Sequence, residues 1–366
     1  TDPRWARNFG TFGSNADLSS DFTKAYMDGF QGKIINEESV ITMVKHFPGG
    51  GPQEDGLDPH LYSGRNQVYP GGNFNYHLKP FKAAIDNGLK VIMPYYGIPV
   101  DQTKENVAMA YNRDILIHLL REEMGFEGVI CTDWGIISGR HWGVDELSIK
   151  ERYKKSILAG VDQYGGESSP EYIIDLVREE EIPEERIDYS VRKILINKFE
   201  LGLFDNPYVD ADSIKNIVSQ SEFVKLGHLS QRRSIVLLKN LIIDNDNFLP
   251  LSGRPKIYIE NINNIVANNY CQVVSTPEAA DYAILRLAAP WQPPSNDANM
   301  LESFFHQGDL DFKGEEKERL LKVAETVPTI IDIYLDRPAV IPQITQRCAG
   351  LLANFGASDE AVLDII

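Results

Sequence analysis

A chain of 366 residues, 43% hydrophobic and 24% charged, can bury substantial cores and has room for two domains. Its 36 basic against 53 acidic side chains give a formal net charge of -17, which repels phosphate backbones and anionic membrane surfaces, so neither nucleic acid nor a membrane is an expected partner. The three cysteines, Cys131, Cys271 and Cys348, show neither a disulfide framework nor Cys-x-x-Cys metal spacing. No apolar run approaches the roughly 18 to 20 residues of a membrane span. The segment Thr1 to Trp5 lacks a signal-peptide pattern, and the compartment stays open.

The first two hundred residues alternate helical and strand-like patterns, which argues for βα units around a parallel sheet. Helical periodicity runs over Asp17 to Phe30, Leu78 to Asn87, Val107 to Glu123 and Ser148 to Leu158; strand character falls on Val40 to His46, Lys90 to Met93, Val129 to Thr132 and Val161 to Tyr164. The tract Arg178-Glu179-Glu180-Glu181 reads as a solvated helix face. Four strands in this span fall short of the eight, over about 250 residues, of a closed (β/α)8 barrel.

Turn chemistry at Leu203 to Asp210 marks a boundary. Beyond it come a helix over Ser221 to Arg233 and a second βα set: strands at Lys256 to Glu260, Tyr282 to Leu287, Thr329 to Leu335 and Gly350 to Asn354, with a helix near Glu315 to Thr326. There is no solenoid-period repeat and no low-complexity tail.

Chemistry-bearing residues gather at successive strand ends, where parallel α/β folds place their sites. The first strand ends Val44-Lys45-His46-Phe47-Pro48-Gly49-Gly50-Gly51. Neighbouring strand residues point to opposite faces, so at most one of Lys45 and His46 faces the interior unless a bulge or a cis bond re-aims them. Taken alone, the pair reads first as a solvent-reaching lysine and a backbone-satisfied histidine. The three glycines make a poor phosphate loop, because no Gly-Lys-Ser or Gly-Lys-Thr follows.

Pro52 to Tyr76 is aperiodic, long for a connector and dense in Gly, Pro, Asn and aromatic residues, which suits a sugar-binding loop as well as a plain Ω-loop. Met93-Pro94-Tyr95-Tyr96-Gly97 ends the next strand, with one phenol expected to face the cavity and one to pack. The run Gly125-Phe126-Glu127-Gly128-Val129-Ile130-Cys131-Thr132-Asp133-Trp134 reads as a buried strand delivering a carboxylate to its C-terminal end, with Cys131 packed inside it. A lone Asp there also fits a helix N-cap. No His-x-x-x-His pair supports a metal, no cofactor motif is present, and no Gly-x-Ser-x-Gly elbow supports a serine hydrolase.

These motifs together resemble glycoside hydrolase family 3. Asp2-Pro3-Arg4-Trp5-Ala6-Arg7-Asn8 with Thr11-Phe12-Gly13 is similar to the family's segment after the third barrel strand, Lys45-His46-Phe47-Pro48-Gly49 to its Lys-His-Phe motif, and Gly125 to Trp134 to its nucleophile segment. Arg232-Arg233-Ser234-Ile235-Val236-Leu237-Leu238-Lys239-Asn240 with Leu249-Pro250-Leu251 resembles the entry to its second domain, and Asn354-Phe355-Gly356-Ala357-Ser358 a later strand end there.

The resemblance implies an α/β chain: residues 1–207 as the C-terminal part of a (β/α)8 TIM-like barrel, 208–231 as linker and connecting helix, and 232–366 as an α/β sandwich. The family's first three barrel strands and a sugar-binding aspartate would then lie upstream of Asp2. It further implies a retaining, exo-acting β-glycosidase, most often a β-glucosidase, with a β-linked glycoside as partner, no cofactor, and room for a homo-oligomer. Asp133 would be the nucleophile, Arg7, Lys45 and His46 would hold sugar hydroxyls, and Tyr96 and Trp134 would line that subsite.

The acid departs from the family's pattern, since the strand ending Arg286-Leu287-Ala288-Ala289-Pro290-Trp291 carries none at the expected place. Of Asp297, Glu302, Asp309 and Asp311, Glu302 is preferred as acid/base because flanking apolar residues could raise its pKa. A surface carboxylate is the plain alternative for it. Two other readings remain: a non-catalytic carbohydrate-binding remnant of the fold, and a transglycosylase or phosphorylase variant.

Overall fold

A computed structural model describes residues 1–243, 245–292 and 304–366, in two compact units, Thr1–Tyr208 and Val209–Ile366. In the first unit the strands are β1 (Met43–Phe47), β2 (Asn66–Gln67), β3 (Val91–Pro94), β4 (Ile98–Pro99), β5 (Val129–Trp134) and β6 (Gln163–Gly165). A parallel sheet runs β1-β3-β5-β6, and β2 pairs with β4 separately. Apolar residues crowd β5 because it is an inner strand with both faces covered, and Val129 to Asp133 are all buried. At its start a Cβ on Gly128 would meet the Lys90 carbonyl oxygen at 2.3 Å, so only glycine lets the two backbones approach. The barrel expected from the pattern is thus partial: four strands, with β1 and β6 as sheet edges among the described residues.

Local chemistry moved several expected boundaries. β1 starts at Met43 rather than Val40, whose N–H bonds the Phe30 carbonyl at the end of the preceding helix (2.9 Å). The helix expected over Val107 to Glu123 is a 3-10 turn at Met109–Tyr111, an extended Asn112, and a π-helix at Asp114–Glu123. Two helices, Glu171–Arg178 and Glu184–Glu200, follow β6. The expectation of a helix face at Arg178 to Glu181 is corrected: the first helix stops at Arg178 and Glu180 takes φ 60°, so the acids lie in the turn between helices. There Glu179 and Glu181 pair with Lys150, and Glu181 also with Lys154.

The second unit carries β7 (Val236–Asn240), β8 (Ile242–Ile243), β9 (Asp246–Asn247), β10 (Lys256–Glu260), β11 (Gln272–Val274), β12 (Tyr282–Ala288), β13 (Thr329–Tyr334) and β14 (Gly350–Asn354). Its main sheet runs β11-β10-β12-β13-β14-β7, parallel except for β7 against β14. Strand alternation divides its side chains between two cores: Ile330 and Leu352 join one, while Ile331, Ile333, Leu351 and Ala353 join the other. Both faces are therefore covered, which makes this unit an α/β sandwich. Among the described residues no helix is long and apolar enough to cross a membrane.

Candidate active site

Asp133 lies at the C-terminal end of β5, buried to 8% exposure. The register of β5 against β6 shifts between Cys131 and Trp134, so the irregular stretch of the strand coincides with this carboxylate. Its Oδ1 accepts the Tyr96 hydroxyl (2.9 Å) and the Trp134 N–H (2.7 Å). Its Oδ2 lies 3.2 Å from His46 Nε2 without the alignment of a hydrogen bond. One oxygen is thus fixed by two donors, while the other faces only the His46 imidazole.

Burial alone would raise the Asp133 carboxyl; His46, the Trp134 N–H and the Tyr96 hydroxyl outweigh it and hold the group at about 2. Burial pushes His46 down from its ordinary value against the pull of Asp133, and the charges of Arg7 and Lys45 add to the depression. A neutral imidazole beside an ionised carboxylate is the state these neighbours favour at neutral pH.

The register of β1 also shifts, between Lys45 and Phe47, and the Lys45–His46 peptide is cis. His46 turns to Asp133 and is buried, whereas Lys45 is exposed and makes no side-chain hydrogen bond among the described residues. Arg7 is half-buried and reaches the Tyr95 hydroxyl (3.4 Å) rather than Asp133. Both phenols are buried: Tyr96 bonds Asp133, and Tyr95 packs against His46 with ring centroids 4.3 Å apart.

Trp134 is 54% exposed, its ring backed by Gly165 and Gly166. A Cβ on Gly166, at φ +66°, would fall 2.4 Å from Trp134 Cδ1. Arg140 lies over the Tyr96 ring, its guanidinium carbon 5.3 Å from the centroid.

Glu302 and Asp297 lie outside the described residues. The other two acids are engaged, Asp309 with Lys313 and Asp311 with Lys317 at 2.8 Å. A cavity of about 560 Å³, lined in part by Asp2, Gln53, Tyr69 and His77, shares none of the residues that contact Asp133. No His, Cys, Asp or Glu group suited to a metal ion occurs among the described residues.

Sequence reasoning passed over three participants. Asp58, His60 and Arg140 gather around the two tyrosines, and Asp58-Pro59-His60 lies inside the aperiodic segment suspected as a binding loop. An acid and an imidazole two residues apart in such a loop were the available signal.

This chain belongs to glycoside hydrolase family 3, since the model of the "Glycosyl hydrolase family 3 N terminal domain" matches residues 1–196. The whole chain is 47% identical to the "Probable beta-glucosidase C" of Aspergillus flavus and 34% identical to the "Periplasmic beta-glucosidase/beta-xylosidase" of Dickeya chrysanthemi. It spans 59% of the length of each. The crystal structure of a β-glucosidase from Listeria innocua in complex with isofagomine shares the fold at TM-score 0.80 and 23% identity, over 99% of this chain and 55% of that one.

Proposed function

We propose that the protein is a retaining, exo-acting β-glycosidase that hydrolyses β-glucosides through a covalent glycosyl-aspartate. The observation that carries this reading is the asymmetry of Asp133, with Oδ1 fixed by two donors and Oδ2 facing only the His46 imidazole at 3.2 Å. Oδ2 attacks the anomeric carbon while Glu302 protonates the departing oxygen. Water, deprotonated by the same acid/base, then attacks the glycosyl-aspartate; two inversions return the β configuration. His46, Lys45 and Arg7 hold sugar hydroxyls, and the Trp134 and Tyr96 rings bound the subsite. A carboxylate ionised at neutral pH suits the nucleophile, and the names of the fungal and bacterial relatives suit the substrate class.

The test is mass spectrometry of the intact full-length protein after incubation with 2,4-dinitrophenyl 2-deoxy-2-fluoro-β-glucoside, beside Asp133→Ala. The activated leaving group needs little acid help, so labelling reports the nucleophile separately from Glu302. One fluoroglucosyl mass on the parent, absent from the variant, is expected. Asp133→Ala is also expected to lose at least about a thousandfold in turnover; wild-type turnover in that variant would end the assignment.

A further inference from the structure

Asp58 is buried to 1% exposure in the loop after β1, and four donors converge on it. Oδ2 accepts the Trp5 indole N–H (2.9 Å) and the Tyr95 hydroxyl (3.2 Å). Oδ1 takes the His60 backbone N–H (3.0 Å) and lies 2.6 Å from His60 Nδ1. Despite burial, which would raise it, His60 holds the carboxyl below its ordinary value. An ionised carboxylate only accepts, so His60 Nδ1 carries the proton.

Both arms from Asp58 end on Asp133. The Tyr95 ring packs on His46 at 4.3 Å, and His46 Nε2 stands 3.2 Å from Asp133 Oδ2. The His60 and Tyr96 rings pack edge-on with centroids 4.8 Å apart, and the Tyr96 hydroxyl donates to Asp133 Oδ1. An anchor serving the loop alone would need the backbone and Trp5 contacts; it would not need two rings directed at the two supports of a second carboxylate.

We propose that Asp58 is a positioning residue that holds the nucleophile Asp133 in its attacking orientation through Tyr95–His46 on one side and His60–Tyr96 on the other. This rests on the assignment of Asp133 as nucleophile. Asp58 touches no sugar and acts through the rings. In Asp58→Asn one oxygen becomes an amide nitrogen that faces a donor, which breaks one arm, and the other becomes an uncharged, weaker acceptor, which loosens the second.

The experiment compares the parent, Asp58→Asn, Tyr95→Phe, His60→Asn and the Tyr95→Phe/His60→Asn double variant in the full-length protein. The readout is the rate constant for fluoroglucosyl labelling per titratable site, against pH, with melting temperature alongside. Asp58→Asn is expected to slow labelling per site by about 10–100-fold, a loss typical of a misplaced reacting group, and to move its acid limb upward. Each single-arm variant should lose less, and the double variant should approach Asp58→Asn, which keeps the question decidable if Asp58→Asn does not fold. A lower melting temperature and fewer titratable sites, with per-site rate and acid limb as in the parent, would overturn the proposal and leave Asp58 a loop anchor. An unlabelled parent would instead overturn the nucleophile assignment and this proposal with it.

Discussion

Tyr96 is the residue through which the state of Asp133 can be read. Its hydroxyl lies within bonding reach of both Asp133 Oδ1 and the Trp134 carbonyl (2.7 Å), which ties the carboxylate to its own strand end. With Asp133 held at about 2 against an ordinary 3.8, the carboxylate proposed as nucleophile stays ionised across the usual assay range. The depressed carboxyl adds stability that is present above its unfolded value and lost as pH falls through about 2. Tyr96→Phe removes one of two donors to Oδ1, so the pKa rises, the acid limb of labelling moves up, and the rate falls about 10–100-fold. A pH profile superimposable on the parent's would show that His46 and the Trp134 N–H set the ionisation without Tyr96. Burial by itself does not mark such a group. Asp162, whose side chain is fully covered just before β6, is occupied by Arg121 (2.6 Å), Ser190 (2.6 Å) and the Ile130 N–H (2.9 Å) and has no oxygen to spare.

At the scale of elements, the strand ends of the first unit were legible because chemistry and periodicity coincide there. Apolar β-branched runs fixed β3 and β5, and Asp133, His46 and Tyr96 converge as their places at those ends imply. The Asp58 loop was not legible, since an aperiodic segment gives no face on which to place a side chain and its contacts reach back to Trp5 and forward to Tyr95. Nor was the π-helix at Asp114–Glu123, whose apolar spacing resembles an α-helix. Glu302 stays where the sequence left it, outside the described residues. The pair Gly165-Gly166 gives this scale its own prediction. Gly166→Ala adds a methyl against Trp134 and a side chain at positive φ, which costs about 1–3 kcal/mol in stability and displaces the exposed ring. KM for an aryl β-glucoside should rise several-fold and the tryptophan emission should shift, while labelling of Asp133 persists. An unchanged KM would mean that the ring takes no part in binding.

Over the whole molecule, charge and exposed apolar surface oppose each other. The sequence supplied the net charge of -17 and a pI near 4.9, but not that Phe22, Tyr26 and Phe30 on the helix Ala16–Gln31 would be exposed, because an amphipathic pattern does not say whether its apolar face is covered. At pH 7 and above, carboxylate repulsion is expected to oppose association; as pH falls toward 4.9 that repulsion should vanish and the aromatic surface should drive association. Two acid limbs of activity should therefore be separable. The one near pH 5 should move with protein concentration and coincide with rising light scattering, whereas titration of Asp133 at about 2 is unimolecular and does not respond to dilution. Turnover per soluble molecule measured over a hundredfold range of concentration tells them apart. A limb near pH 5 that ignores dilution would place the controlling group inside the site, and the acid/base carboxyl would be its first candidate.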